Sequence, residues 1–260
     1  MISNRRVCNV TTAGLAFAHT GTISGIIRSI PLRMSLPALM CMVLFAPLSQ
    51  AATVGSRFDP DDFTSLGTLN ISSGAITFNT TTLTVTGFAN GVTSATQGGI
   101  TTAVFCFTDV SITGTATVTV TGTRPIAILS KGSITLGTPI AVSGGAATLS
   151  TAGVGIVSGS NGGAINANGI GTGFGGAATN EGGSGAGYGG LGGQGASANT
   201  TGRATYGANT LYDLFGGSGG GGGGANNAAF SGAGGAGGGG IELSANITIT
   251  IQATGSITAN

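Results

Sequence analysis

The 260-residue chain has no Trp, one His, one Lys and three Cys, and only 6% of its residues are charged. Each shortage excludes a class of chemistry. His19 is the single imidazole and lies in the N-terminal leader, so the rest of the chain has neither a Ser or Cys triad nor a His metal ligand. Cys8 and Cys41 also lie in the leader, which leaves Cys106 alone. One thiol makes neither an internal disulfide framework nor a four-ligand zinc site. Lys131 is the only Lys, so no Walker A lysine follows a glycine loop. Residues 52–260 carry four basic and seven acidic side chains, a net −3 that gives nucleic acid no electrostatic footing. No Pro follows Pro139, which excludes collagen.

What is present is glycine, 53 residues of it, with a mean hydropathy of +0.41. Disorder usually joins low hydropathy to high net charge, and this chain does the opposite. The leader, residues 1–51, holds four Arg and no acid. Leu36 to Leu48 reads LPALMCMVLFAPL, thirteen mainly apolar residues. A membrane span needs about 20, so this is read as the hydrophobic region of a signal peptide. Ser49 and Ala51 are the small residues a signal peptidase needs, and cleavage is expected after Ala51 or Ala52. The stretch before it is long, consistent with an extended leader or with a start at Met34. Asn4-Arg5-Arg6-Val7 lies too far from it to act as a twin-Arg signal, and Cys41, after bulky Met40, is a poor lipobox cysteine.

Residues 52–65 form an acidic N-terminal segment. Its Asp59-Pro60-Asp61-Asp62 cluster is read as a solvated turn, since calcium needs 6–8 oxygen ligands. Residues 66–152 form a β block. Apolar residues alternate with Thr in short runs, among them Ala75–Phe78, Thr82–Thr86, Ala103–Phe107, Thr115–Thr121, Ile126–Leu129 and Ser133–Leu136. Two architectures compete. A sandwich or barrel spaces its turns about 8–12 residues apart, whereas a β-helix uses shorter strands stacked rung on rung. The close spacing favours an all-β, right-handed parallel β-helix (solenoid) that buries Val, Ile and Leu and turns Thr outward. Thr115, Thr117, Thr119 and Thr121 mark one such outward face, a possible binding face for polysaccharide, ice or another repetitive surface. Ser133–Ser143 resembles Thr248–Asn260 with a two-residue difference in the turn, which implies a repeated unit.

Residues 153–240 hold 36 Gly in 88 positions, and 241–260 read as an incomplete β rung. Glycine offers no side chain to bury and loses the most freedom on folding. A long, loosely packed insertion is the first reading. The second rests on Gly-x-Gly triplets at Gly187–Gly195 and Gly232–Gly240, whose three-residue period is that of a polyproline-II helix. Two G-x-G-x-x-G matches, at Gly171–Gly176 and Gly185–Gly190, are followed by no helix pattern, so composition explains them. Cys106 sits in the apolar run Ala103–Phe107 and reads as a buried, inert thiol. Asp109 and Arg124 are expected to form a surface ion pair.

The run Thr117–Gly145 (TVTVTGTRPIAILSKGSITLGTPIAVSGG), the glycine tract after it and Gly240–Ala245 together resemble glycine-rich right-handed β-helix proteins exported by bacteria, in the style of adhesin and autotransporter passengers. Thr121–Pro125 leading into Ile126–Ser130 is the most specific part, and the resemblance covers residues 66–260. It implies a secreted or cell-surface location and a structural or adhesive role. It brings no catalytic residue and no cofactor. The expected partners are polysaccharide or cell-surface components, with no nucleic acid and no membrane integration after cleavage. The chain ends at Ser256–Asn260 with no C-terminal barrel, as a truncated frame or one piece of a longer exported protein would. An open last rung is an unpaired sheet edge that invites self-association.

Overall fold

The computed structural model describes residues 58–88, 93–97 (backbone only), 100–195, 202–207, 214–224 and 232–260. The leader and the expected cleavage positions Ala51 and Ala52 lie outside them. The protein is all-β. Its only helical element among these residues is a 3-10 turn at Pro60–Asp62, and none of their helices is long and apolar enough to cross a membrane.

Thirteen strands form among the described residues. The first four are β1 (Leu69–Ile71), β2 (Ala75–Asn79), β3 (Thr84–Val85) and β4 (Thr93–Gln97). Three successive trios come next: β5 (Ile100–Phe107), β6 (Val110–Ile112) and β7 (Thr117–Thr121); β8 (Ile126–Ser130), β9 (Ser133–Leu136) and β10 (Pro139–Ala141); β11 (Ile241–Ala245), β12 (Thr248–Ile251) and β13 (Ser256–Thr258). They assemble into sheets of order β4-β5-β8-β11, β1-β6-β9-β12, β3-β2-β7 and β10-β13. All pairings are parallel except β3 on β2 and β4 on β5.

Register follows the alternation of the sequence. Ala103, Ile126 and Ile241 stand side by side, as do Val110, Ile134 and Ile249. One face of each sheet therefore collects apolar side chains. Phe78, Phe105, Phe107, Ile112, Ile126, Ile128, Ile134, Leu136 and Ile140 are buried in one core, where the Phe78 and Phe105 rings meet edge to face at 5.1 Å. Each such side chain contributes about 1.5–3 kcal/mol by leaving water.

The other face of β5 and β8 is covered as well. Phe58 and Phe63 pack over Val104, Cys106, Ala127 and Leu129 in a second apolar cluster. This N-terminal segment crosses the sheet. Cys106 Sγ donates to Pro60 O (3.5 Å), Phe58 N donates to Glu242 Oε1 (3.2 Å) on β11, and Asn246 Nδ2 donates to Asp61 Oδ1 (2.9 Å).

Residues 241–260 place one strand beside each of β8, β9 and β10. One sequence expectation is corrected: the described part of the glycine segment is not loosely packed. Its backbone bonds recur at every third residue. Gly217, Gly220 and Gly223 donate to Gly238, Gly235 and Gly232. Gly219 and Gly222 donate to Ile170 and Ala167, while Gly221 and Gly224 donate to Ser184 and Glu181. The three rows of donors thus serve three different neighbours, the pattern of a helix with three residues per turn. Glycine is required by close approach. A methyl group at Gly219 would overlap the Asn161 carbonyl oxygen, and one at Gly222 that of Ala164.

Val157 pins this layer to the β body. Its φ of 52° is rare for a β-branched residue. Burial in the main core and the bonds Val157 N to Gly122 O (2.8 Å) and Gly240 N to Val157 O (2.8 Å) hold it there.

Candidate binding face

The hydroxyl-bearing face lies on the β3-β2-β7 sheet. Val118 and Val120 of β7 turn toward the core, so Thr117 and Thr119 turn out and are exposed. Register extends this row onto the neighbours. Thr119 pairs with Thr77, and Thr77 N donates to Thr86 Oγ1 (3.0 Å). Thr86, just past β3, and Thr77 and Thr119 thus form a line across the sheet. Thr84, Asn79 and Thr121 form the next line. Strands stand about 4.8 Å apart and like-facing residues about 6.7 Å along a strand, so the threonine hydroxyls and Asn79 make a regularly spaced grid.

Of the four threonines expected at such a face, Thr117, Thr119 and Thr121 belong to β7. Thr115 is exposed in the connection before it, where its N–H donates to Ser72 O (2.9 Å). Thr117 Oγ1 and Thr121 Oγ1 each reach a carbonyl of the strand or turn beside them, Gly74 O and Phe78 O, at 3.4 Å. Thr77, Thr84 and Thr86 lie in alternating runs of their own, and the sequence pattern does not place them on one face with β7. They sit well upstream of β7, and the β2–β3 hairpin that brings two of them in is antiparallel. The grid is neutral. It offers paired donors and acceptors and no acid or base.

The groups with reactive potential are placed elsewhere. Cys106 is buried, and burial pushes its thiol pKa up, which matches the inert thiol expected of it. The ion pair expected between Asp109 and Arg124 does not form. Asp109 Oδ1 accepts from Ser133 N (2.9 Å) in the β5–β6 corner. Arg124, in the β7–β8 corner, donates through one guanidinium nitrogen to Thr80 O (3.0 Å) and Thr81 O (2.7 Å). Both charges therefore close turns. Asp59 caps the Pro60–Asp62 turn by accepting from Asp61 N (3.0 Å), and all three carboxylates of that cluster are exposed. Among the described residues no group of three His, Cys, Asp or Glu is placed to hold a metal.

An aromatic cluster in the glycine layer is likewise invisible in the sequence pattern. Tyr206 meets Tyr188 at 4.9 Å and Phe215 at 6.2 Å, both edge to face. Tyr206 Oη donates to Gly216 O (2.8 Å), and burial pushes its phenol pKa up. Its hydroxyl ties down the glycine backbone. Comparison with protein-family models, curated proteins and solved structures finds no match to this chain.

Proposed function

We propose that this chain is an exported, non-catalytic β-solenoid that serves as a structural or adhesive element outside the cell. In this reading β5–β7, β8–β10 and β11–β13 are successive rungs of a parallel β-helix. The observation that carries it is the path of the chain, which visits the β5-β8-β11 sheet and then the β6-β9-β12 sheet three times in the same order, with β10 and β13 paired as third strands of the last two passes and β7 in the β3-β2-β7 sheet. Parallel connections of this kind are right-handed in about 98% of cases. Support for export comes from the leader, with its apolar Leu36–Leu48 stretch and small residues at Ser49 and Ala51. The test is fractionation of cells carrying a C-terminally tagged chain, with the mature N-terminus measured by mass spectrometry. The expected product lies outside the cytoplasm and begins at Ala52 or Thr53. An intact chain retained in the cytoplasm overturns the proposal.

A binding module is the second reading, and the neutral threonine grid favours it. An array of hydroxyls at fixed spacing suits a repetitive, uncharged surface such as polysaccharide or ice. Replacing Thr117 and Thr119 with Tyr is expected to abolish retention on such a surface with the circular dichroism spectrum unchanged, because both side chains are exposed. Retention equal to that of the parent chain rules the grid out.

A further inference from the structure

The two ends of the strand stack differ. At one end antiparallel strands close two of the sheets, β4 on β5 and β3 on β2. At the other end stands β12, whose only strand neighbour among the described residues is β9. The same inward register positions show the effect. Val110 and Ile134 are 2% and 0% exposed, but Ile249 beside them is 43% exposed. Ile112 and Leu136 are 0% and 1% exposed, but Ile251 is 49% exposed. Natural edges are usually blunted by Lys, Pro or a bulge. Residues 241–260 contain no Pro, no Lys and no Arg, and Glu242 is their only charge.

Main-chain geometry adds a direction. In a parallel ladder alternate residues turn both backbone groups to the same neighbour. Gln252 N donates to Leu136 O (2.8 Å), so Thr250 and Thr248 bond toward β9. Ile249 and Ile251 therefore aim N–H and C=O away from the stack.

We propose that this edge pairs with the same edge of a second copy, about a two-fold axis through Thr250. The segment Ile249-Thr250-Ile251 reads identically in both directions. Antiparallel pairing centred on Thr250 sets Ile249 opposite Ile251 of the other copy, inward side chain against inward side chain. Those residues hold the outward-facing backbone groups, so each of the two Ile pairs exchanges two N–H···O bonds. Thr250 then faces its own counterpart in a non-hydrogen-bonded pair, close enough for a hydroxyl contact. The edge is neutral, which selects a neutral partner over a charged one, and a C2 contact of this kind closes on itself. The proposal rests on the reading of β5–β13 as stacked rungs.

The test uses the full chain with Cys8 and Cys41 replaced by Ser; Cys106 is buried and stays. Sedimentation is expected to give twice the chain mass. Ile249→Lys with Ile251→Lys is expected to restore the single mass with an unchanged circular dichroism spectrum. Thr250→Cys is expected to form a disulfide between copies on oxidation, because facing residues of such a pair lie within disulfide reach. A second variant, Thr135→Cys with Thr250→Cys, reads the β9–β12 register through a disulfide within one chain. A single mass at every concentration, or masses that grow past two copies, overturns the dimer. An intrachain bond without an interchain one also overturns it and leaves the stacked rungs standing. Loss of both bonds removes the stacked rungs and the dimer together.

Discussion

Cys106 shows how a side chain's chemistry is set by what encloses it. Its Sγ lies under Phe58 and Phe63 and donates to the Pro60 carbonyl. The folded protein is expected to resist a thiol reagent and to react only on unfolding, read as loss of free thiol with time. Burial raises the folded pKa, so the neutral thiol favours the fold below the ordinary thiol value. That contribution falls as pH rises through the ordinary value, where the unfolded thiol ionises first. A denaturation midpoint that does not fall in mildly alkaline solution would contradict this. Thr138 makes a second residue-scale case. Its hydroxyl is buried without a hydrogen-bond partner. Replacement by Val removes that unmet group, and thermal melting is expected to show a gain of about 1 kcal/mol. The burial of Cys106 was legible from its apolar neighbours. The part played by Phe58 was not, because its contacts lie on strands far along the chain.

At the scale of elements, periodicity was the readable signal. Ser133–Leu136 forms as the alternation predicts, and the likeness between Ser133–Ser143 and Thr248–Asn260 is a physical pairing. Thr248 stands beside Ser133 and Ser256 beside Pro139, with the two extra residues in the turn. Strand β4, TSATQ, carries no apolar alternation and left no trace. The glycine layer was legible in part: the Gly-x-Gly triplets carried its three-residue period, while which segments bond to which resides in backbone bonds that composition does not encode. It makes a sharp prediction. Gly219→Ala meets a carbonyl oxygen and is expected to cost about 1–3 kcal/mol. Gly220→Ala, one position on, has no atom nearer than 3.8 Å and is expected to be neutral or mildly stabilising. Equal melting temperatures for the two variants would remove the three-residue helix.

For the whole molecule, the shared register of distant strands decides the architecture. Apart from β4 the sequence predicted the strands, and only the likeness of Ser133–Ser143 to Thr248–Asn260 carried a record of which ones meet across the glycine segment. The threonine grid was half legible for the same reason: β7 displays its alternation, while Thr77 and Thr86 join it only through pairing. Truncating Phe58 to Ala tests the cover over β5 and β8. It is expected to cost about 3–5 kcal/mol and to speed proteolysis of 241–260, because the same segment bonds to Glu242 and Asn246. That cover also bears on how the chain reaches its folded state. Phe58 and Asp61 bind residues 184 and 185 positions further on. Contacts of such span make folding slow, and this one waits for the last strands to exist. A chain synthesised from its N-terminus keeps this seal open until β11 and Asn246 have been made, so β5 and β8 stay uncovered until almost the whole sequence exists.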